Sequence, residues 1–251
     1  MRRALVGVLL LAVAGCGGGT TTTSESDDTT LTVLGAASLT ETFTELERIY
    51  EEGHAGVDVR LAFDSSATLA GQVIEGAPAD VLATADARTM ATVADADATA
   101  AQPQLFATNT MVLVVPAGNP AGMETFADLD QDGVSYLTCA ESAPCGALAR
   151  SLLDLNQVEA PPKSFEIDVK AVLTKVELDE ADAGLVYATD AASAGDTVDT
   201  IAIPGSSEAV NSYLVAPLRQ SEHLDAAGAW VELLLSKKGQ DVLREAGFGA
   251  P

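Results

Sequence analysis

From Leu31 onward, short apolar runs alternate with longer stretches whose apolar residues recur every three or four positions. Residues 31–36 (LTVLGA) predict a strand. Residues 38–53 put Leu39, Phe43, Leu46 and Ile49/Tyr50 on one helical face, and Gly53 stops the helix. Residues 57–63 (VDVRLAF) alternate as a strand does, and 65–74 predict a helix opened by hydroxyl residues. Residues 80–85 (DVLATA) predict a third strand, 87–98 a helix, and 111–118 (MVLVVPAG) a long buried strand ended by Pro116 and Gly118. This order of strand and helix implies right-handed crossovers and a parallel α/β sheet. The second half has the same grammar: strand 134–139, helix 146–155, strand 164–169, helix 170–180, strand 183–189, strands 200–204 and 211–218. A last helix over 225–248 carries Trp230, Leu233, Leu234, Val242 and Leu243 on one side. No sequence repeat is evident. Two successive α/β units of about 100 residues predict two lobes with a cleft between them. The runs MVLVVP and SYLVAP suit strands that cross from one lobe to the other.

The N-terminus departs from this pattern. Arg2 and Arg3 precede an apolar stretch of 11 residues, Ala4 to Ala14, too short to span a bilayer but suited to a secretory signal. Val13-Ala14-Gly15-Cys16 resembles a bacterial lipobox, with Cys16 as the lipidated first residue of the mature chain. Residues 17–30 (GGGTTTTSESDDTT) have no apolar residue and predict a flexible tether. The expected organisation is a leader over 1–15, a tether over 16–30, one lobe from 31–113 and 212–251, and a second from 114–211. The folded part would hang on the extracytoplasmic face of the cell membrane by lipid on Cys16.

Composition narrows the function. Hydrophobic residues make up 47% of the 251 and charged residues 20%, a globular balance. Aromatics are 4%, with one Trp, so a mostly aliphatic core is expected. Thirteen basic residues face 37 acidic ones, a formal charge of −24. That excludes nucleic-acid binding through a basic face and docking to anionic lipid through a polybasic patch. A solvated acidic surface is the plain reading. Beyond Cys16, Cys139 and Cys145 stand six positions apart in a chain expected to be exported, where disulfides persist. They are expected to pair, the alternative being two free buried thiols. Their spacing is not that of metal ligands, and His54 and His223 lie far off in sequence, so no metal-cation site is expected.

Candidate chemistry sits at strand-to-helix turns, where open α/β sheets bind ligands and helix N-termini offer free N–H groups to anions. Three turns carry small or hydroxyl residues: Gly35-Ala36-Ala37-Ser38-Leu39, Phe63-Asp64-Ser65-Ser66-Ala67-Thr68-Leu69, and Ser142-Ala143-Pro144-Cys145-Gly146-Ala147. Each serine alone reads as an N-cap. Asp80, Asp86 and Asp190 close strands or open turns and read as capping or surface groups, as His54 and His223 read as surface histidines.

Taken in order, A-A-S-L-T, F-x-S-S-x-T-L, G-A-P-A-D, P-x-G, D-V, G-L-V-Y-A-T-D-A and a closing E-A-G-F resemble the periplasmic molybdate-binding proteins of ABC importers, within the bacterial extracellular solute-binding proteins. The resemblance runs from about residue 31 to the end. It implies a two-lobe periplasmic-binding-protein (type II) α/β fold. Each lobe would be a mostly parallel sheet flanked by helices, with the ligand in the cleft. It implies binding of molybdate, and of tungstate, by neutral donors alone: the hydroxyls of Ser38, Ser66 and Tyr187 and the backbone N–H groups of Cys145 and Val169, with Ser65 as a helper. Molybdenum would be held as an oxyanion, with no cofactor and no enzymatic activity. A membrane permease would be the partner of a monomeric receptor. Three features depart from the pattern: Cys145 where a small residue is expected, Asp64 beside the two serines, and the acidity. Two alternatives stay open. One is a receptor for sulfate, phosphate or another small anion. The other is an exported hydrolase using Ser66 or Ser38 as nucleophile, for which no G-x-S-x-G elbow or evident base is present.

Overall fold

A computed structural model describes residues 29–251. The expected leader, Cys16 and residues 17–28 of the tether lie outside the described residues. Strand β1 (Thr29–Ala36) leads through a 3₁₀ turn (Ala37–Leu39) into α1 (Thr40–Gly53). Then come β2 (Val57–Asp64), α2 (Ser66–Ile74), β3 (Val81–Thr84), α3 (Ala87–Asp95) and β4 (Gln104–Asn109). The second half runs β5 (Met111–Pro116), β6 (Tyr136–Cys139), α4 (Pro144–Leu155), β7 (Ser164–Glu166), α5 (Val169–Glu177), β8 (Ala183–Tyr187), α6 (Ala188–Ala194) and β9 (Val198–Ile201). Strand β10 (Asn211–Pro217), α7 (Leu224–Leu235) and α8 (Lys237–Glu245) complete the described chain.

The strands form two five-stranded sheets, ordered β2-β1-β3-β10-β4 and β7-β6-β8-β5-β9. The two orders match position for position. In each sheet the first three strands pair in parallel, and the fourth, β10 or β5, pairs antiparallel with both neighbours. That fourth strand is the one that arrives directly from the other sheet. MVLVVP and NSYLVAP are therefore the strands that follow the two crossings, each lying within one sheet and not running from lobe to lobe. The strand 111–118, which the alternating order places in a single parallel sheet, belongs to the second sheet and runs against its neighbours. Since β5 lies wholly in that sheet, the first crossing falls at Thr110 rather than at 113/114. Continuous apolar runs follow from this layout. Strands β3, β6 and β8 are buried at every residue, as inner strands covered on both faces must be.

Helix faces follow the pattern read from sequence. Leu39, Phe43, Leu46, Ile49 and Tyr50 are all buried beneath α1. Asp86 caps α3 by accepting from Thr89 N at 2.9 Å, and Asp168 caps α5 by accepting from Ala171 N at 2.9 Å. Several expectations give way. Thr29 and Thr30, assigned by composition to the tether, pair with Val57 and Asp58 as strand residues. Strand β7 stops at Glu166 because Asp168 and Val169 open the next helix, and β8 stops at Tyr187 because Ala188 and Thr189 belong to α6. Residues 104–109, without apolar alternation, form β4. The single C-terminal helix is two, broken at Ser236, whose hydroxyl caps α8 by accepting from Gly239 N at 3.2 Å. Gly239 permits the break to be tight, since a Cβ there would sit 2.1 Å from Leu233 O.

The core is mostly aliphatic, but six of the eleven aromatics form one connected chain, mostly through the first lobe: Tyr50, Trp230, Phe43, Phe106, Tyr213 and then Tyr187 of β8, with successive ring centroids 5.5–6.2 Å apart. This rigid row ends at the junction of the two lobes.

Candidate functional site

Where the lobes meet, a cavity is lined by Ala36, Ala37 and Ser38, by Ser65 and Ser66, by Ala85, by Pro144 and Cys145, by Asp168 and Val169, and by Tyr187. These segments are the six turns that follow β1, β2, β3, β6, β7 and β8. All six strands present their carboxyl ends to one point, as the topology of open α/β sheets requires. Ser38, Ser65, Ser66, Cys145, Val169 and Tyr187, which sequence singles out, thus come together from both lobes. The cavity offers about 20 Å³ of room for the centre of a small group. Room of that size fits a compact ion.

The hydroxyls are not plain caps. Ser65 occupies the N-cap of α2 but makes no side-chain cap bond there, and Ser66 is the first helical residue. The Ser66 oxygen accepts from Ala85 N at 3.0 Å, which leaves its own proton free to donate. Asn211 Nδ2 donates to the Tyr187 oxygen at 2.6 Å, and the Tyr187 proton is likewise left for another acceptor. Ser38 Oγ lies 2.8 Å from the Tyr213 hydroxyl, which also accepts from Asn109 Nδ2 at 3.4 Å. With Tyr213 taking that bond from Asn109 and giving its proton to Ser38, the Ser38 proton is free as well. Burial pushes the hydroxyl pKa of both Tyr187 and Tyr213 well above the usual phenol value, so both remain protonated donors. Backbone N–H groups at the starts of α2, α4 and α5 complete the set, because the first turn of a helix leaves them without an internal partner.

No Lys or Arg lines the cavity. Its one carboxylate, Asp168, is committed to Ala171 N of its own helix. Asp64 lies outside the lining and accepts from Ser65 N at 2.6 Å, so it serves the turn instead of facing the site. The lining is therefore a shell of donors with few acceptors, in a positive helix-end field.

The third turn is braced covalently. Cys139, at the end of β6, is joined to Cys145 by a disulfide with Cα atoms 5.8 Å apart. Gly146 lets the turn close, since a Cβ there would lie 2.0 Å from Ala140 O. The Cys145 side chain is thus used to fix the loop whose backbone N–H borders the cavity.

Asn109, Asn211 and Tyr213 escape the motif reading. Asn109 ends β4 and Asn211 begins β10, and the two face each other in register at the crossings. Asn211 Nδ2 also reaches Pro144 O at 3.3 Å, while Asn109 Nδ2 donates to Thr189 Oγ1 at 2.8 Å. An amide residue beside each crossing was the available signal. Neither histidine enters the site. His54 is stacked on Tyr50 at 4.0 Å, and His223 sits at the start of α7, so Ser38 and Ser66 lack the imidazole that a hydrolase would need.

Residues 31–249 match the family described as bacterial extracellular solute-binding protein. The chain is 39% identical over 222 residues to the molybdate-binding protein ModA of Mycobacterium tuberculosis H37Rv, covering 88% of this chain and 85% of the relative. Two solved structures share the fold. The periplasmic molybdate-binding protein of Azotobacter vinelandii superposes with a TM-score of 0.77 at 16% identity, over 88% of this chain and 99% of that one. The sulfate-binding protein SubI of M. tuberculosis H37Rv superposes with the same TM-score of 0.77 at 19% identity, over 88% of this chain and 86% of that one. The chain belongs to the bacterial extracellular solute-binding protein family, a family of binding proteins and not of enzymes.

Proposed function

We propose that this chain is an extracytoplasmic receptor that binds molybdate, and tungstate, and delivers it to the permease of an ABC importer. The observation that carries the reading is a cavity built mainly from neutral donors, with no basic side chain and with its one carboxylate, Asp168, turned to the N-cap of its own helix. Ser38, Ser66 and Tyr187 supply hydroxyl protons, Cys145 and Val169 supply backbone N–H groups, and Ser65 stands beside them. Charge-assisted hydrogen bonds from several fixed donors can replace the water of a dianion without a basic side chain. Such a shell also discriminates. A singly protonated phosphate would aim its own donor at donors and lose one bond outright. Sulfate carries no proton, so its rejection rests on size. The likeness to the M. tuberculosis relative supports molybdate over sulfate, since the shared fold alone is common to both kinds of receptor.

In this reading the lobes turn about the two crossings, closing over the ion and opening against the permease. The receptor acts as a monomer, held to the membrane by lipid on Cys16 and reaching outward on the tether. Calorimetric titration with molybdate, tungstate, sulfate and phosphate tests the proposal. Tight binding of the first two with little response to the others is expected. Preference for sulfate or phosphate would overturn the ligand and keep the receptor, and silence from all four would overturn the oxyanion reading.

A further inference from the structure

Lys170 is the second residue of α5, where a cation is disfavoured by the positive end of the helix dipole. A residue that breaks a local rule calls for a compensating contact elsewhere. Two are present. Its ammonium lies 3.1 Å from Oδ1 of Asp190, a fully buried carboxylate of α6. It also donates to both carboxylate oxygens of Glu41 at 2.8 and 2.9 Å, and reaches Ser193 Oγ at 3.3 Å. Asp190 and Ser193 stand in the same lobe as Lys170, whereas Glu41 stands in the first turn of α1 in the other lobe. Among the described residues, every other ion pair joins groups of one lobe. Lys170 does not line the cavity, and two carboxylates outweigh its charge, so it adds no net attraction for an anion.

Position gives the pair its leverage. Glu41 lies three residues after Ser38, and Lys170 directly follows Val169. The contact therefore ties together the helix starts of α1 and α5 that bring one proposed donor from each lobe. The Lys170 side chain is largely buried, and Asp190 and Ser193 already hold it in place, so on its side little rotamer freedom remains to be lost when Glu41, itself 55% exposed, arrives. Only one mobile side chain is ordered, against the two of an ordinary exposed pair.

We propose that Lys170, seated on Asp190, is a latch that engages Glu41 across the cleft and holds the lobes closed on the bound ion. The inference rests on the receptor reading for its ligand but not for its geometry. A latch adds to the stability of the closed form, so its loss speeds escape of the bound ion. Stopped-flow and calorimetric measurements with molybdate on Glu41→Gln should show dissociation about fivefold faster. Lys170→Met combined with Asp190→Asn, which avoids leaving a lone buried charge, should give the same change. Adding Glu41→Gln to that pair should change nothing further. Lys170→Arg should retain slow release. Small-angle scattering reads the latch without ligand: Glu41→Gln should have a larger radius of gyration than the wild type. Wild-type binding together with unchanged dissociation and unchanged scattering in Glu41→Gln would overturn the latch. Failure of the wild type to bind any oxyanion, with the scattering difference present, would overturn the receptor reading and leave the latch standing.

Discussion

Replacing Tyr187 by Phe removes a single oxygen from the centre of the site. Tyr187 is 1% exposed and its hydroxyl accepts from Asn211 Nδ2 at 2.6 Å, which in the proposed role leaves its proton for the bound ion. The substitution deletes one donor to the bound dianion and takes away one acceptor of Asn211. A hydrogen bond to a charged group is worth about 1.5–3 kcal/mol, which corresponds to roughly a 10- to 150-fold rise in Kd for molybdate. Folding should suffer less, by about 1 kcal/mol, because Asn211 keeps Pro144 O within 3.3 Å and the ring stays packed on Tyr213. Calorimetric titration and urea unfolding on the same preparation separate the two effects. Tyr213→Phe is the matched control. Its hydroxyl touches Ser38 and Asn109 but does not line the cavity, so its effect on Kd should be smaller. A Tyr187→Phe protein that binds within twofold of the wild type would refute the donor assignment. A Tyr213→Phe protein that loses more affinity than Tyr187→Phe would do the same.

Ser38→Ala and Ser66→Ala should each weaken molybdate binding by about 1–3 kcal/mol in the same titration, and wild-type affinity in both would remove the first lobe's hydroxyls from the site. Reducing the Cys139–Cys145 disulfide, which closes a loop spanning six positions, should lower stability by about 2 kcal/mol and the melting temperature by roughly 5 °C. An unchanged melt after verified reduction would show that the brace contributes nothing. Burial raises the Asp190 carboxyl from 3.8 to about 6, with Lys170 opposing the rise. The folded state then holds a proton that the unfolded state releases, so the contribution of Asp190 is most favourable below pH 4. It should fall by about 3 kcal/mol as pH rises to 6, and stay level above. Urea unfolding of wild type and Asp190→Asn across that range measures the difference directly, and a difference independent of pH would contradict it.

Much of this was legible in the order of residues because the site is made of turns. A strand that ends in small residues and passes into a helix through Ser or Gly announces both its geometry and its free donors. The sequence therefore places Ser38, Ser66 and Cys145 in strand-to-helix turns, which is where they lie. Helix α1 was legible for a similar reason, since five apolar residues recur at helical spacing and all five are buried. What sequence obscured were features decided by contacts distant in the chain. Strand β4 has no alternation because its place is set by pairing with β10 and by Gly249, which bonds Thr108. The break at Ser236 is masked by apolar residues at helical spacing on both sides, and it is fixed by the serine cap and by the close approach of Gly239 to Leu233 O. The parallel sheet inferred from the alternating order was altered by two crossings, which exchange one strand between the lobes and reverse it. Asn109 and Asn211 gain their meaning only from that exchange, which sets them side by side behind Ser38 and Tyr187.

Crystals grown with molybdate and measured on both sides of the molybdenum absorption edge would locate the ion without reference to any assumed contact. The account predicts one strong anomalous peak in the cavity between the lobes, with oxygens within hydrogen-bond reach of Ser38 Oγ, Ser66 Oγ, Tyr187 Oη, Cys145 N and Val169 N. A peak elsewhere on the molecule, or an ion in the cavity held by other groups, would contradict it.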